Sequence, residues 1–343
     1  MTVTAQNLQQ DDEAADLLDW IARATGAKDL VAERPAPMGR SRDIWTIEGR
    51  YPDGARLSSV VRHEVGSGPW SGTTFTLARE ASVLRSLQPT PVKVPAVIAV
   101  SDDGTRILIE RLAGTAEFKF DDPAMRASTI DDFCLNLARL HLVDERDLEL
   151  DLPRPANVAE HAHLDLRDYV HSYEKLCPRA AGVDAGFAWL FANAPKHVQR
   201  TSLLQGDCGP GNFMHQDGKL TGLIDWEAAH FGDPMDDLAM LWFRICFMGG
   251  GNDLDDWYQL YAKHSGLDVD LDAIAYYRVA LLTRWAIAVL VRQGNEPVRD
   301  DAKRERMLSL ITTALRDPYN REGRADALPP VVSGAIPTHL RES

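Results

Sequence analysis

Residues 203–239 read LLQGDCGPGNFMHQDGKLTGLIDWEAAHFGDPMDDLA, and the predicted fold follows from this segment. Asp207 and Asn212 flank a loop with glycine and proline at 209–211, which can continue neither a helix nor a strand. The loop can therefore turn both side chains towards one cavity. Phosphoryl transfer needs one carboxylate to orient and deprotonate the accepting hydroxyl, and oxygen ligands that hold Mg²⁺ against phosphates. Asp207 is suited to the first task and Asn212 to the second.

A hairpin and a second carboxylate follow the loop. The residues around Asp217-Gly218 alternate as two short strands do, and this dipeptide favours a tight hairpin turn. We predict the strands at Phe213–Gln216 and Lys219–Ile224, so that Asp225 lies at a strand end. Mg²⁺ prefers carboxylate and amide oxygens, which makes Asp225 a second candidate ligand. The alternative is that these polar side chains only cap turns.

Together these elements resemble the catalytic core of the aminoglycoside phosphotransferase and choline kinase superfamily, which shares the protein-kinase fold. The family pattern is H-G-D-x-x-x-x-N, then I-D-[WF]-E, then G-D-P-x-x-D-L-A. Here the three parts are Gln205-Gly206-Asp207 with Asn212, Ile224-Asp225-Trp226-Glu227, and Gly232-Asp233-Pro234 with Asp237-Leu238-Ala239. Three linked elements in the right order are a specific signal.

The resemblance implies an α+β, bilobal protein-kinase-like fold with a small N-terminal antiparallel-sheet lobe and a larger, mostly helical C-terminal lobe. We predict a nucleotide-binding lobe at 1–112, a catalytic and acceptor-binding lobe at 113–325, and a loosely ordered tail at 326–343. The implied cofactors are ATP and Mg²⁺. By resemblance, Asp207 is the catalytic base, and Asn212 and Asp225 bind the metal.

Gln205 departs from the family pattern, which has histidine there. Glutamine both donates and accepts hydrogen bonds, so it can still support the loop. The resemblance assigns Asp237 to the backbone of the catalytic loop. His141 ends a predicted helix, and we interpret it as a packed, hydrogen-bonded residue.

The N-terminal third contains the candidate nucleotide-binding residues. After a predicted helix at Glu13–Thr25, Gly39 and Ser41 lie between two extended runs, where a kinase fold has its phosphate-covering loop. An ordinary hairpin turn would look the same. By resemblance, the strand Leu57–Arg62 carries the phosphate-binding cation, which is normally a lysine. No lysine occurs between Lys28 and Lys93, so Arg62 is the candidate; the alternative is an ordinary surface arginine on the strand.

Glu80 is the expected partner of that cation. It lies among apolar residues that recur at helical spacing, and a carboxylate on such a face must be paired or remain near water. We expect an ion pair with Arg62 that positions the arginine over the phosphates; the alternative is a glutamate at the helix edge. By resemblance, the segment after a strand at Arg106–Ile109 is a hinge where backbone groups near Glu110 and Leu112 bind adenine.

Composition restricts the class of partner. The formal net charge of −14 argues against nucleic acid, whose binders carry basic patches. No uninterrupted apolar run approaches membrane-spanning length, and the acidic N-terminus lacks a signal pattern. The four scattered cysteines are typical of reduced thiols, so we expect a cytoplasmic protein. The oligomeric state cannot be read from the sequence.

The acceptor is expected to be the hydroxyl of a small molecule. An aminoglycoside would suit the acidity, whereas a hydroxyacyl or other lipid-like acceptor would suit the resemblance of residues 237–244 to the acyl-CoA-dehydrogenase-associated branch; a macrolide or amino alcohol also fits. Trp242 and Arg244 are candidates for the acceptor side. The rival hypothesis is a catalytically silent nucleotide-binding protein, which Gln205 and the missing lysine favour.

Overall fold

The protein is described by a computed structural model over residues 5–35, 42–64, 74–176, 179–249, 251, 253–295, 302, 305, 308–309 and 311–312. It is an α+β protein with two compact units. The first unit contains the described residues of 1–115 with 214–216 and 221–227, and the second contains the remainder. The lobe boundaries at 112 and 325 stay predictions, and the tail at 326–343 lies outside the described residues.

The first unit is built on a five-stranded antiparallel sheet. The strands are β1 (Lys28–Glu33), β2 (Asp43–Arg50), β3 (Arg56–His63), β4 (Val97–Val100) and β5 (Arg106–Glu110), and their order in the sheet is β1-β2-β3-β5-β4. The apolar side of the sheet packs against helix α1 (Ala5–Thr25), where Leu17 and Ile21 are buried with Trp45 and Val61 of the sheet.

Strand β3 is in the middle of the sheet and carries Arg62 near its end. Arg62 pairs with Ile44 of β2 and Ile107 of β5, so its backbone is held on both sides. Helix α2 (Leu77–Leu87) begins where the hydroxyl of Thr76 accepts a hydrogen bond from the Arg79 amide, a standard way to satisfy the first amides of a helix.

The second unit is mostly helical. The helices are α3 (Pro123–Leu142), α4 (Val158–Leu176), α5 (Ala181–Ala192), α6 (Pro234–Trp242), α7 (Leu254–Ser265) and α8 (Leu271–Asn295), and a short 3₁₀ turn spans Glu145–Asp147. Helix α3 packs on α7, and α8 packs on α4, α5 and α6. Strands β6 (Ser202–Leu204) and β9 (His230–Gly232) form an antiparallel pair.

Helix α6 continues directly into a π-helical segment, Phe243–Met248. Asp233 caps α6 by accepting the Met235 amide at 3.0 Å, and Pro234 occupies the first turn, as predicted. The predicted hairpin is present as β7 (Phe213–Gln216) and β8 (Lys219–Leu223). Asp217 and Gly218 both have positive φ, 50° and 74°, as a primed hairpin turn requires.

Among the described residues, no helix combines the length and apolarity that crossing a bilayer would need.

Candidate active site

In the first unit, Arg62 forms the ion pair that was predicted with Glu80. Nη1 of Arg62 lies 2.5 Å from Oε1 of Glu80, and the two residues are only 7% and 1% exposed. Two charges buried this completely are stabilised mainly by each other, because each would be costly to bury alone. Helix α2 therefore fixes the guanidinium of strand β3 in one position.

Asp225 reaches the same guanidinium from the end of strand β8. Its Oδ1 accepts from Nη2 of Arg62 at 2.9 Å, and its side chain remains 31% exposed. Asp225 has a positive φ of 65°, which is uncommon for a residue other than glycine. The residue with this uncommon backbone conformation is thus the one whose carboxylate bonds Arg62. Uncommon backbone conformations of this kind cluster at functional sites.

Glu227 completes a cluster with an excess of negative charge. Its Oε2 lies 3.6 Å from Nη2 of Arg62 and 4.0 Å from Nε of Arg42, a second buried arginine that also contacts Glu64. The cluster contains two arginines and four carboxylates: Arg42 and Arg62 with Glu64, Glu80, Asp225 and Glu227.

Burial raises the pKa of Glu227 to about 7, and repulsion by Asp225 acts in the same direction. For Arg62, burial alone would lower the pKa, but attraction by Glu80 and Asp225 outweighs it and raises the pKa above its ordinary value. Arg62 is therefore charged at every physiological pH.

The crowded carboxylates of Asp225 and Glu227 fit a small divalent cation. Burial is the main cause of the raised pKa of Glu227, and a cation would relieve the repulsion by Asp225 that adds to it. Within the described residues, no group of three or more His, Cys, Asp or Glu side chains forms a complete metal cage. Mg²⁺ seldom uses such a cage; it takes one or two carboxylates and completes its shell with water and phosphate oxygens.

In the second unit, the 205–212 loop presents Asp207. The amide nitrogen of Asn212 donates to Oδ2 and to the backbone carbonyl of Asp207, both at 2.7 Å. Since the nitrogen makes both bonds, the amide oxygen of Asn212 is the atom that could ligate a metal. The side chain of Asp207 is 33% exposed, so it is open to a ligand.

Arg244 of the π-helical segment contacts the same carboxylate with two nitrogens. Its Nε donates to Oδ1 of Asp207 at 3.1 Å, Nη2 donates to Oδ2, and Nη1 donates to the Pro210 carbonyl at 3.2 Å.

Trp242, the other candidate for the acceptor side, is 3% exposed and lies under the guanidinium of Arg278, 3.8 Å from the ring centroid. Trp242 is thus a packed core residue.

A row of buried, hydrogen-bonded polar side chains supports the 205–212 loop. The carboxylate of Asp237 accepts from the backbone amides of Gln205 and Gly206, each at 2.9 Å, and lies 3.1 Å from Nε2 of His141. Nδ1 of His141 lies 2.8 Å from the hydroxyl of Tyr261. Nε2 can donate to the Asp237 carboxylate while Nδ1 accepts from the Tyr261 hydroxyl, so His141 acts as a structural bridge.

Gln205 supports the loop in place of the family histidine. Its side-chain nitrogen donates to the Asn212 carbonyl at 3.2 Å, so it joins the two ends of the loop. The neighbouring thiol of Cys208 is fully buried, and burial raises its pKa well above the ordinary value. A thiol in that environment is unreactive.

Glu110 ends strand β5, and its backbone amide donates to the Ala96 carbonyl at 2.8 Å. Leu112 lies against Gly222, where a Cβ atom would come within 2.6 Å of the leucine side chain. The remaining nucleotide candidates, Gly39 and Ser41, lie outside the described residues. Asp225 belongs to the first unit and Asn212 to the second, so the position of each residue is described relative to its own unit.

Three charged residues of the first cluster were not assigned a role from the sequence: Arg42, Glu64 and Glu227. Glu227 had a signal, because it belongs to the quoted I-D-W-E element. Arg244 was noted only as an acceptor-side candidate, since nothing in a helical sequence pattern indicates a partner 37 positions earlier.

Residues 68–277, more than half of the chain, match the phosphotransferase enzyme family. The chain belongs to that family.

Solved structures show the same protein-kinase-like fold. The chain is similar to an aminoglycoside phosphotransferase-like protein of Ralstonia eutropha JMP134, with a TM-score of 0.66, 18% identity, and coverage of 90% of this chain and 97% of that one. It is also similar to the choline kinase LicA of Streptococcus pneumoniae, with a TM-score of 0.62, 16% identity, and coverage of 88% and 98%. A third structure, a thermostable mutant of aminoglycoside phosphotransferase APH(4)-Ia in ternary complex with AMP-PNP and hygromycin B, has a TM-score of 0.61, 14% identity, and coverage of 87% and 98%.

One curated relative is a much longer protein. Acyl-CoA dehydrogenase family member 11 of Rattus norvegicus is 28% identical over 122 residues, which is 35% of this chain and 15% of the rat protein. The chain thus matches only a small part of that relative.

Proposed function

We propose that the protein transfers the γ-phosphoryl group of ATP to a hydroxyl of a small molecule, with Mg²⁺ as the metal. The observation that carries this proposal is the fixed, part-exposed carboxylate of Asp207, with Asn212 bonded to it at 2.7 Å and Asp237 holding the loop backbone. Such a carboxylate can orient the acceptor hydroxyl and take its proton.

The other residues divide between the nucleotide and the metal. Arg62, held by Glu80, would bind phosphate oxygens with its planar fork. Asp225 and Asn212 are the proposed metal ligands, and the bound cation would neutralise charge on the phosphates. Backbone groups near Glu110 and Leu112 are proposed to bind adenine, as the family resemblance implies.

The 39–41 segment is proposed to cover the phosphates, through Gly39 and Ser41. Nucleotide binding is supported by the similarity to a kinase whose structure contains AMP-PNP.

For the acceptor we propose a small hydroxylated molecule of aminoglycoside, hydroxyacyl or related type. The similar structures include one in complex with hygromycin B and one of a choline kinase, and the rat relative points to the acyl-CoA-dehydrogenase-associated branch. A cytoplasmic location stays a prediction from the sequence.

The test is ADP release by the purified protein with Mg·ATP and a panel of hydroxylated compounds covering these classes. We expect at least one acceptor to raise ADP release above the acceptor-free rate, with formation of a phosphorylated product. Matched variants are Asp207→Asn, in which transfer should fall by about 10²- to 10⁴-fold, and Asp217→Asn in the hairpin turn, which should transfer like wild type. Mg·ATP binding without transfer to any acceptor would support the catalytically silent alternative instead.

A further inference from the structure

The contact between Arg244 and Asp207 is more specific than an ordinary surface ion pair. Nε and Nη2 of the guanidinium face Oδ1 and Oδ2 of the carboxylate, and Nη1 reaches the Pro210 carbonyl in the same loop. A two-point contact of this kind fixes the plane of the carboxylate as well as its position.

We propose that Arg244 is a positioning residue for phosphoryl transfer, which sets the plane of the Asp207 carboxylate that receives the acceptor's proton. This inference rests on the proposed function, because it assigns Asp207 the role of base. It concerns the geometry of the base and requires no contact between Arg244 and the nucleotide.

Helix α6 and its extension provide the two supports of the loop. Asp237 in α6 accepts the loop amides at 2.9 Å, and Arg244, seven positions later, binds the loop's functional carboxylate. Between them the helix changes to the π form at Phe243. A π segment changes the direction of the side chains that follow it, and such segments often occur at functional sites. One helix thus positions both the loop backbone and the side chain on it.

The loop has room for the arginine because it contains glycines. A Cβ atom at Gly209 would lie 3.3 Å from Cδ of Arg244, and one at Gly211 would lie 3.4 Å from Nη1. Both glycines also have positive φ, 120° and 96°, which other residues rarely adopt. The loop residues Cys208–Gly211 include no cation of their own, so the charge that orients Asp207 comes from another element.

The expected contribution is to catalysis rather than to stability. Arg244 and Asp207 are 23% and 33% exposed, and ion pairs at that level of exposure stabilise a fold only slightly. A small error in the placement of a reacting group, in contrast, can cost about 10²-fold in rate. Lysine has a charge of the same sign but lacks the planar fork of arginine. The Arg244→Lys variant therefore keeps the attraction to Asp207 and removes the two-point contact that orients its carboxylate.

The first experiment compares Arg244→Lys and Arg244→Gln with wild type in steady-state transfer to the best acceptor found. The matched control is Arg126→Lys, which alters another part-exposed arginine–aspartate pair of the second unit, Arg126 with Asp253 at 2.6 Å. We expect kcat to fall by roughly 10²-fold in both Arg244 variants while the KM for ATP stays near wild type. The control should match wild type in both parameters.

The second experiment distinguishes orientation from a general folding role. In Arg244→Ala, shown to be folded by circular dichroism and thermal unfolding, added methylguanidinium should restore part of the lost kcat, because it can rebind the Asp207 carboxylate. The same compound should leave Asp207→Asn inactive. A defect of folding alone would not respond to the small cation.

This inference alone is overturned by an active wild type whose Arg244→Lys variant is equally fast, or by a folded Arg244→Ala variant that methylguanidinium does not rescue. Equal losses of ATP affinity and of kcat in Arg244→Gln also contradict it, because they would place Arg244 at the nucleotide. A wild-type protein that transfers to no acceptor overturns the proposed function, and this inference with it.

Discussion

Arg62 is held by more than one carboxylate, which would suit its proposed role at a position where the family resemblance leads one to expect lysine. Nη1 bonds Glu80 and Nη2 bonds Asp225, so separate nitrogens of one planar group meet separate partners. A lysine ammonium is a compact point charge on a flexible stem and would not be fixed in the same way. We therefore expect Arg62 to be sensitive even to replacement by lysine.

The first prediction concerns the coupling of this pair. Arg62→Gln should weaken Mg·ATP binding by roughly 10- to 100-fold, because hydrogen bonds to charged groups contribute about 1.5–3 kcal/mol. Glu80→Gln should have a smaller effect in the same direction, since it releases Arg62 without removing it. Calorimetry of Mg·ATP binding to both single variants and the double variant measures the coupling.

Arg56→Gln is the matched control, because Arg56 lies on the same strand but pairs with Glu48 at an exposed position. It should bind Mg·ATP like wild type. Strictly additive effects of the Arg62 and Glu80 substitutions would mean that the pair does not act as a unit on the nucleotide, and the assignment of Arg62 would be abandoned.

The second prediction separates the two aspartates. Asp207→Asn should leave Mg·ATP affinity near wild type while transfer falls by about 10²- to 10⁴-fold, the usual contribution of a general base. Asp225→Asn should instead weaken Mg²⁺-dependent nucleotide binding, because it removes a charged metal ligand. The measurements are calorimetry of Mg·ATP binding and ADP release with the best acceptor. Equal loss of ATP affinity in both variants would contradict this division of roles.

Secondary-structure elements that depend on a few neighbouring residues were predicted correctly. Asp217-Gly218 forms its turn because both positions adopt positive φ, and α6 begins at the Asp233 cap. The prediction for helix α1 was wrong at its start, because the helix begins at Ala5 and not at Glu13. The π segment after α6 was not predictable, since its sequence would suit a continuing α-helix.

The third prediction concerns the start of helix α6. Burial raises the pKa of Asp233 from 3.8 to about 7, and the nearby Asp236 and Asp270 act in the same direction, against the bonds from Met235 and Tyr277. The folded state therefore binds more protons than the unfolded state between about pH 4 and 7. Over this window, the contribution of Asp233 to the free energy of unfolding falls as the pH rises.

Asp233→Asn keeps the cap acceptor and removes the titration. Relative to wild type, the free energy of unfolding of this variant should rise by on the order of 2 kcal/mol between pH 5 and pH 8. Urea denaturation of both proteins at the two values measures the difference. If the difference does not depend on pH, Asp233 is ionised throughout, and its environment is more polar than its burial indicates.

The sequence indicated the family and the fold, but not which charged side chains form ion pairs with each other. The family is confirmed by the match over residues 68–277 and the fold by the similar structures. Contacts such as Arg42 with Glu227, or Arg244 with Asp207, join residues far apart in sequence. They depend on tertiary packing, which no local pattern encodes, so the roles of the candidate site residues stay predictions.

We also predict that Mg·ATP stabilises the protein against thermal unfolding, which can be measured without an acceptor. A ligand that binds only the folded state at 100 times its Kd stabilises by about 2.7 kcal/mol, so thermal scans should shift upwards with Mg·ATP. ATP with EDTA should shift them much less, because the carboxylates of Asp225 and Glu227 would then face the phosphates without a cation between them. Asp225→Asn should reduce the Mg²⁺-dependent part of the shift, whereas Asp207→Asn should retain it. Equal shifts with and without Mg²⁺ would remove the metal from the proposal, and no shift under either condition would rule out nucleotide binding by this chain.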